Sequence, residues 1–210
     1  MNILEEISTY LQQGRSPKVQ ELVAQAMAEG IAPQTILDEG LLAGMGVIGA
    51  KFKNNEVFVP EVLISARAMN KGVEVLKPAL VAQGVESRGT VVLGTVKGDL
   101  HDIGKNLVKL MMEGKGLTVI DLGVDVPPER FLDAARENDA EIVACSALLT
   151  TTMGEMKTIV ETIRSSDISD QVKIMVGGAP VTQTFADQIG ADYYTADAES
   201  AAQLAVSLVS

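Results

Sequence analysis

A single cysteine, Cys145, is all the thiol this chain has. That excludes an internal disulfide and any multi-cysteine metal site, and it fits a reducing compartment. Tryptophan is absent, and four phenylalanines with three tyrosines make up all the aromatic rings. Too few rings remain for the stacking platforms that hold single-stranded nucleic acid. No apolar run approaches the roughly 18 residues that a membrane-spanning helix needs. The opening residues, MNILEEISTY, have no basic segment followed by an apolar core, so no signal peptide is expected. Positive charge is also short, with 17 Lys and Arg against 28 Asp and Glu and a formal net charge of −11. Such a surface repels phosphate backbones, and no concentrated basic face offsets it, so neither nucleic acid nor membrane is expected as a partner. What is present is core material: 47% of the 210 residues are hydrophobic and 21% charged, enough burial to offset ordering entropy. A cytoplasmic globular protein is the expectation.

The chain changes period near its middle. Up to about Pro78 the apolar spacing is helical. Ile3, Ile7 and Leu11 form one stripe, and Val19, Leu22, Val23, Ala26 and Met27 a second, ended by Gly30. Leu37, Leu41, Met45, Ile48 and Phe52 form a third, and Val62, Ala66, Met69, Val73 and Leu76 a fourth, opened by Pro60 in its first turn. Four amphipathic helices with short connections predict a small bundle over 1–84. Gly40, Gly44, Gly46 and Gly49 inside the third helix each cost about 0.5–1 kcal/mol relative to Ala, so another backbone or a bulky ligand should approach there. A polar, glycine-bounded stretch at 85–89 is the expected linker. Behind it, strands at 90–95, 117–121, 141–146, 172–176 and 192–194 alternate with helical stretches. Five βα units with nearly continuous β-branched runs predict a parallel, flavodoxin-like α/β domain over 90–210, with strand order 2-1-3-4-5. Ligands of such sheets bind beyond the carboxyl ends of the strands.

The loop after the first strand, GTVKGDLHDIGKN, contains His101, the one histidine of the chain. Asp99 stands two residues before it and Gly104 three after. A lone histidine near a helix start is most often solvated and idle. Here a neighbouring carboxylate can hold one ring nitrogen, fix the tautomer and present the other nitrogen to a metal. One histidine cannot build a zinc or non-haem iron site, but a metal arriving with its other ligands attached needs only one. A phosphate loop fails on spacing, since five residues separate Gly98 from Gly104 and Asn106 follows Lys105. A dinucleotide fingerprint fails for want of G-x-G-x-x-G. An Asp99–His101 acid–base pair stays open, although no nucleophile elbow accompanies it.

Asp99-x-His101-x-x-Gly104 resembles the D-x-H-x-x-G motif of corrinoid (cobalamin) binding domains. Ser146-Ala-Leu148 followed by Thr150 resembles the S-x-L segment of that family, and Gly177-Gly178 its glycine pair after the fourth strand. GAKFKNNEVFVPEVLISARAM (49–69) is similar to the helical cap of methionine synthase. The resemblance covers nearly the whole chain and points to the small two-domain corrinoid proteins of methylamine, methanol or aryl methyl ether methyltransferase systems. It implies cobalamin or a related corrinoid as cofactor, bound base-off with His101 as the lower cobalt ligand. Asp99 would accept the other ring N–H, and Thr152 would complete the relay where methionine synthase has serine. The displaced nucleotide tail would pass Ser146, Leu148 and Thr150 on one side and Gly177, Gly178 and Ala198 on the other. Phe52, Val59 and Val62 would cover the upper face.

The same resemblance implies a methyl carrier cycling between Co(I) and methyl-Co(III), with no catalytic residue of its own. A substrate-specific methyltransferase would load it, a second methyltransferase would unload it to a folate or thiol, and a reductive activation protein would restore it. Three alternatives stand beside it. A corrinoid sensor needs a DNA-binding or signalling module for which no residues remain. The small subunit of an adenosylcobalamin mutase could not approach its barrel past such a cap. The third is a flavodoxin-like domain for flavin or a receiver domain. A receiver needs paired acidic residues after the first strand and an Asp after the third, where Cys145-Ser146 stand. A flavin carrier would purify yellow rather than the red or orange of a corrinoid protein.

Overall fold

The computed structural model describes residues 2–82 and 87–209. They belong to two compact units, Met1–Glu86 and Ser87–Ser210. Of the linker expected at 85–89, Val85 and Glu86 lie outside the described residues.

The first unit is helical. Helix α1 (Ile3–Gln12) starts in a capping box, in which Asn2 accepts from the Glu5 N–H at 2.8 Å while the Glu5 carboxylate accepts from the Asn2 N–H at 3.0 Å. Helix α2 (Ser16–Ala28) and the long α5 (Val59–Ala82) both carry proline in the first turn, where its missing N–H is not needed. Ile7, Leu11, Val19, Val23, Ala26, Val62 and Leu76 are fully buried, as the stripes of the sequence require.

The third helix departs from expectation. It comprises one turn, α3 (Pro33–Thr35), a π-helical stretch at Ile36–Leu42, and α4 (Ala43–Lys53). The wider π turn advances the phase by one residue. Ile36 is therefore fully buried, five positions before Leu41, whereas Leu37 is only half-buried. Gly44 answers to a neighbouring backbone: a Cβ there would lie 3.1 Å from Ser8 Cα and O of α1.

The second unit alternates strand and helix. Strands β1 (Thr90–Thr95), β2 (Thr118–Asp121), β3 (Ile142–Ser146), β4 (Lys173–Gly177) and β5 (Tyr193–Tyr194) form one parallel sheet in the order β2-β1-β3-β4-β5. Helices α6 (Ile103–Glu113), α7 (Pro128–Glu137), α8 (Met153–Arg164), α9 (Gln183–Ile189) and α10 (Ala198–Val209) follow the strands in turn. Observed strand ends lie within one or two residues of those expected, and β5 is the shortest. The residues of each strand alternate between the two faces. Val92, Val143, Cys145, Ile174 and Val176 join Phe131 of α7 and Met156, Ile159 and Val160 of α8 in one dry core. Leu93, Ala144, Ser146, Met175 and Gly177 therefore face the other side, where α6 packs beside α10. The chain reverses its winding direction between β1 and β3, which leaves a crevice at the carboxyl ends of the strands.

No helix among the described residues is long and apolar enough to cross a membrane.

Candidate functional site

The loop joining β1 to α6 is held at several points. Buried Thr95 donates its hydroxyl to the His101 carbonyl at 2.9 Å. Gly98, at φ +80°, takes a conformation that side chains resist, and its N–H donates to Asp125 at 2.7 Å. The Asp125 N–H in turn donates to the Asp99 carbonyl at 3.0 Å.

Asp99 itself is completely buried. Its Oδ1 lies 2.7 Å from His101 Nδ1 and also accepts the His101 N–H at 3.1 Å. Its Oδ2 accepts from the N–H groups of Leu148 at 2.8 Å and Leu149 at 3.2 Å, and from the Thr152 hydroxyl at 2.9 Å. Burial alone would raise the pKa of this carboxyl. The Leu148 N–H, the His101 ring, the His101 N–H and the Thr152 hydroxyl outweigh it and hold the group well below the usual carboxylate range. Asp99 is thus a fixed anion aimed at one ring nitrogen, so Nδ1–H donates to it and Nε2 is the nitrogen left for a ligand. The imidazole is about half exposed, at 49%, and among the described residues nothing else bonds it.

Beside His101 lies a slot of about 520 Å³ between α6 and α10, within the usual range for a small-molecule pocket. His101, Gly104, Ser146, Leu148, Gly177, Gly178 and Ala198 all line it. Asp99 and Thr152 stand behind the histidine rather than in the slot. Thr150, expected on the wall with Ser146, is exposed and does not line it, because the chain turns away after Leu149. In the helical unit Phe52 and Val59 are partly exposed, whereas Val62 is fully buried. The spacing of Val62 to Ala66 and Met69 turns it into the bundle core, and the large apolar side chains left exposed nearby are Phe58, Leu63 and Ile64, at 64%, 47% and 44%.

The two glycines of the pair have different reasons to be glycine. A Cβ on Gly178 would fall 1.9 Å from the Ala147 carbonyl oxygen, and the residue sits at φ +130°, so the fold itself demands it. A Cβ on Gly177 would meet nothing closer than Thr195 O at 3.4 Å, an ordinary contact. A Cβ on Gly104 would meet nothing within 4 Å. The fold does not require glycine at either position, and both face the slot.

Sequence reasoning found Leu148 but missed the rest of the apolar surroundings of the histidine. Leu100, Ile103 and Leu149, at 71%, 76% and 41% exposed, join Leu148, at 42%, in an apolar collar. The pairs Leu100/Ile103 and Leu148/Leu149 beside strand ends were the available signal. It also missed Lys105, whose side chain is 2% exposed and whose ammonium bonds Asp121 at 2.6 Å and Asn106 at 2.8 Å. Cys145, though next to Ser146, points into the opposite core, where burial pushes its thiol up to about 12.

No group of three or more His, Cys, Asp or Glu that could hold a metal occurs among the described residues. The donor set is one oriented imidazole on an apolar collar. It fits a metal that brings a flat ring of ligands with it and hangs a side arm into the slot.

A B12 binding domain model matches residues 89–206, and a second B12 binding domain model matches 3–77. A trimethylamine corrinoid protein of Methanosarcina acetivorans is 47% identical over 83% of this chain and 82% of its own length. A dimethylamine corrinoid protein of the same organism is 40% identical over 99% of this chain and 97% of its own. The crystal structure of the methanol:cobalamin methyltransferase complex from Methanosarcina barkeri contains a chain 32% identical to this one. It superposes with a TM-score of 0.90 over 99% of this chain and 79% of that one. The chain belongs to the corrinoid protein family built from B12 binding domains.

Proposed function

We propose that this protein carries a corrinoid and shuttles a methyl group within a methyltransferase system, with His101 as the lower cobalt ligand. The observation that supports this most is the Asp99–His101 pair, an imidazole with its tautomer fixed and Nε2 free beside the slot. When bound, the corrinoid supplies the nucleophilic, methyl-accepting metal. The chain's own residues supply position, proton and shelter. His101 would hold the cobalt from below, and Asp99 would keep the Nδ1 proton in place, itself braced by Thr152. Ser146, Leu148, Gly177, Gly178 and Ala198 would line the path of the displaced tail, with Thr150 outside it. The first 84 residues would act as a cap, in which Phe52 and Val59 exclude water from the reactive face and Val62 supports them from within.

A carrier of this kind needs one methyltransferase to load it and another to pass the methyl on to a folate or thiol. The methylamine and methanol names of its relatives favour small methylated amines or alcohols as the source. A reductive activation protein would return oxidised cobalt to service.

The test is reconstitution of wild type and His101→Ala with cobalamin, followed by visible spectra and Co(II) EPR. Nitrogen superhyperfine splitting in wild type, absent in the variant, is expected. Indistinguishable spectra refute His101 as the ligand.

A further inference from the structure

The floor of the slot is a row of three apolar side chains. Leu93, Ala144 and Met175 stand opposite one another in the parallel register of β1, β3 and β4, and they are 2%, 6% and 3% exposed. Val108 and Met112 of α6 and Ala201 of α10 close the sides. Polar side chains enter only one step farther along the strands, where Ser146 follows Ala144 on the same face. Beyond it come Thr195 and Asp197, at the mouth. Lys105 also lines the slot, but Asp121 and Asn106 already hold its ammonium.

We infer that this slot selects among cofactor tails. It accepts a corrinoid whose terminal base has an apolar outer edge, such as a methylated benzimidazole, and discriminates against one ending in a purine. The inference rests on the reading that the tail enters the slot. An adenine pushed against Leu93, Ala144 and Met175 would surrender the water on its exocyclic amine and ring nitrogens and find no partner there. A buried polar group left unpaired is disfavoured far more than a missing contact. The methyl groups of dimethylbenzimidazole gain apolar burial in the same place. Ala144 creates the room, as the one small side chain between two long ones.

The experiment compares binding of three corrinoids to the apo full-length protein: cobalamin, its adenine-based counterpart, and cobinamide, which lacks the nucleotide. The chain has no tryptophan to follow. Retention through gel filtration, read by corrin absorbance, and titration calorimetry therefore serve as readouts. Cobalamin should bind at least tenfold more tightly than the adenine form, about 1.4 kcal/mol. Cobinamide should be the weakest of the three. Ala144→Ser, which places a hydroxyl in the floor, should narrow the ratio between cobalamin and the adenine form. Its unfolding curve checks that the variant is folded, and Met175→Gln provides a second polar floor should it not be. Equal affinity for the two complete corrinoids, with cobinamide weaker, overturns the selectivity and leaves the slot as the tail site. Cobinamide binding as tightly as both removes the tail from the slot altogether. A ratio unmoved in both floor variants, in folded protein, also overturns the assignment of the floor.

Discussion

Replacing Gly104 and Gly178 separately by alanine should split folding from cofactor binding, because only one of them is needed by the polypeptide. At Gly178 a methyl would lie 1.9 Å from Ala147 O on a backbone at φ +130°. A side chain in that region of φ costs about 1–3 kcal/mol. Relief of the clash would also pull apart the Ala147 N–H to Gly177 O bond of 3.3 Å, worth about 1 kcal/mol. The sum, about 2–4 kcal/mol, should lower the melting temperature of the apo protein by roughly 10 °C at the few degrees per kcal/mol typical of this size. At Gly104 a methyl would meet nothing within 4 Å, and the residue lies in the first turn of α6. Apo stability should stay level or rise by about 0.5 kcal/mol, since alanine is the better helix former. Yet that methyl would stand in the lining of the slot beside His101, and corrinoid affinity should fall by about tenfold or more, the loss of one well-placed contact set. Denaturant unfolding by circular dichroism and corrinoid retention by absorbance measure both effects on each variant. A Gly104→Ala protein that binds like wild type, or that unfolds more than 1 kcal/mol early, would refute the assignment of that glycine to the ligand.

Further outcomes are expected from the buried groups. The lowered pKa of Asp99 means that its contribution to apo stability is complete above the ordinary carboxylate value near 3.9 and is lost as pH falls from there through the folded value. Asp99→Asn should be less stable at neutral pH, with the gap to wild type closing in acid. A gap that stays constant on acidification contradicts the pairing. Cys145 should resist a thiol reagent at pH 8 until the chain unfolds, because its thiol is buried and pushed up to about 12; rapid labelling of native protein would count against that burial. Lys105→Met should cost about 1–3 kcal/mol by leaving the Asp121 carboxylate with the Gly123 N–H at 2.9 Å and, of its two ammonium partners, only the distant Lys109 at 3.5 Å, read as an earlier denaturant midpoint. Phe131→Ala, at a fully buried position against the sheet, should cost about 3–5 kcal/mol in the same assay.

Much of this architecture was legible because it rests on local periodicity. The strands read as β-branched runs, and Ile7–Leu11 or Val19–Val23 can occupy only one face of a helix. The π-helical stretch was not legible, since a stripe at steps of four and three cannot reveal that one turn holds an extra residue. Only the structure replaces Leu37 with Ile36 in the core. At the site, the loop carrying Asp99 and His101 could be found from residue type and spacing. The path of the chain after Ser146 could not, because spacing alone does not say that Thr150 turns outward while Thr152 turns back to the carboxylate. The motive for Gly178 likewise lies in a tertiary approach, to Ala147, that no local pattern encodes.

Three of the five bonds to the Asp99 carboxylate come from main-chain amides, those of His101, Leu148 and Leu149. Amides survive every exchange of side chain except one to proline. The orientation of the imidazole is therefore insured against drift in the identity of residues 148 and 149, and a threonine can stand at 152 without undoing it. What the turn from 147 to 152 cannot absorb is a change of length. One residue more or fewer would carry both amides off the carboxylate and leave the histidine free to swing.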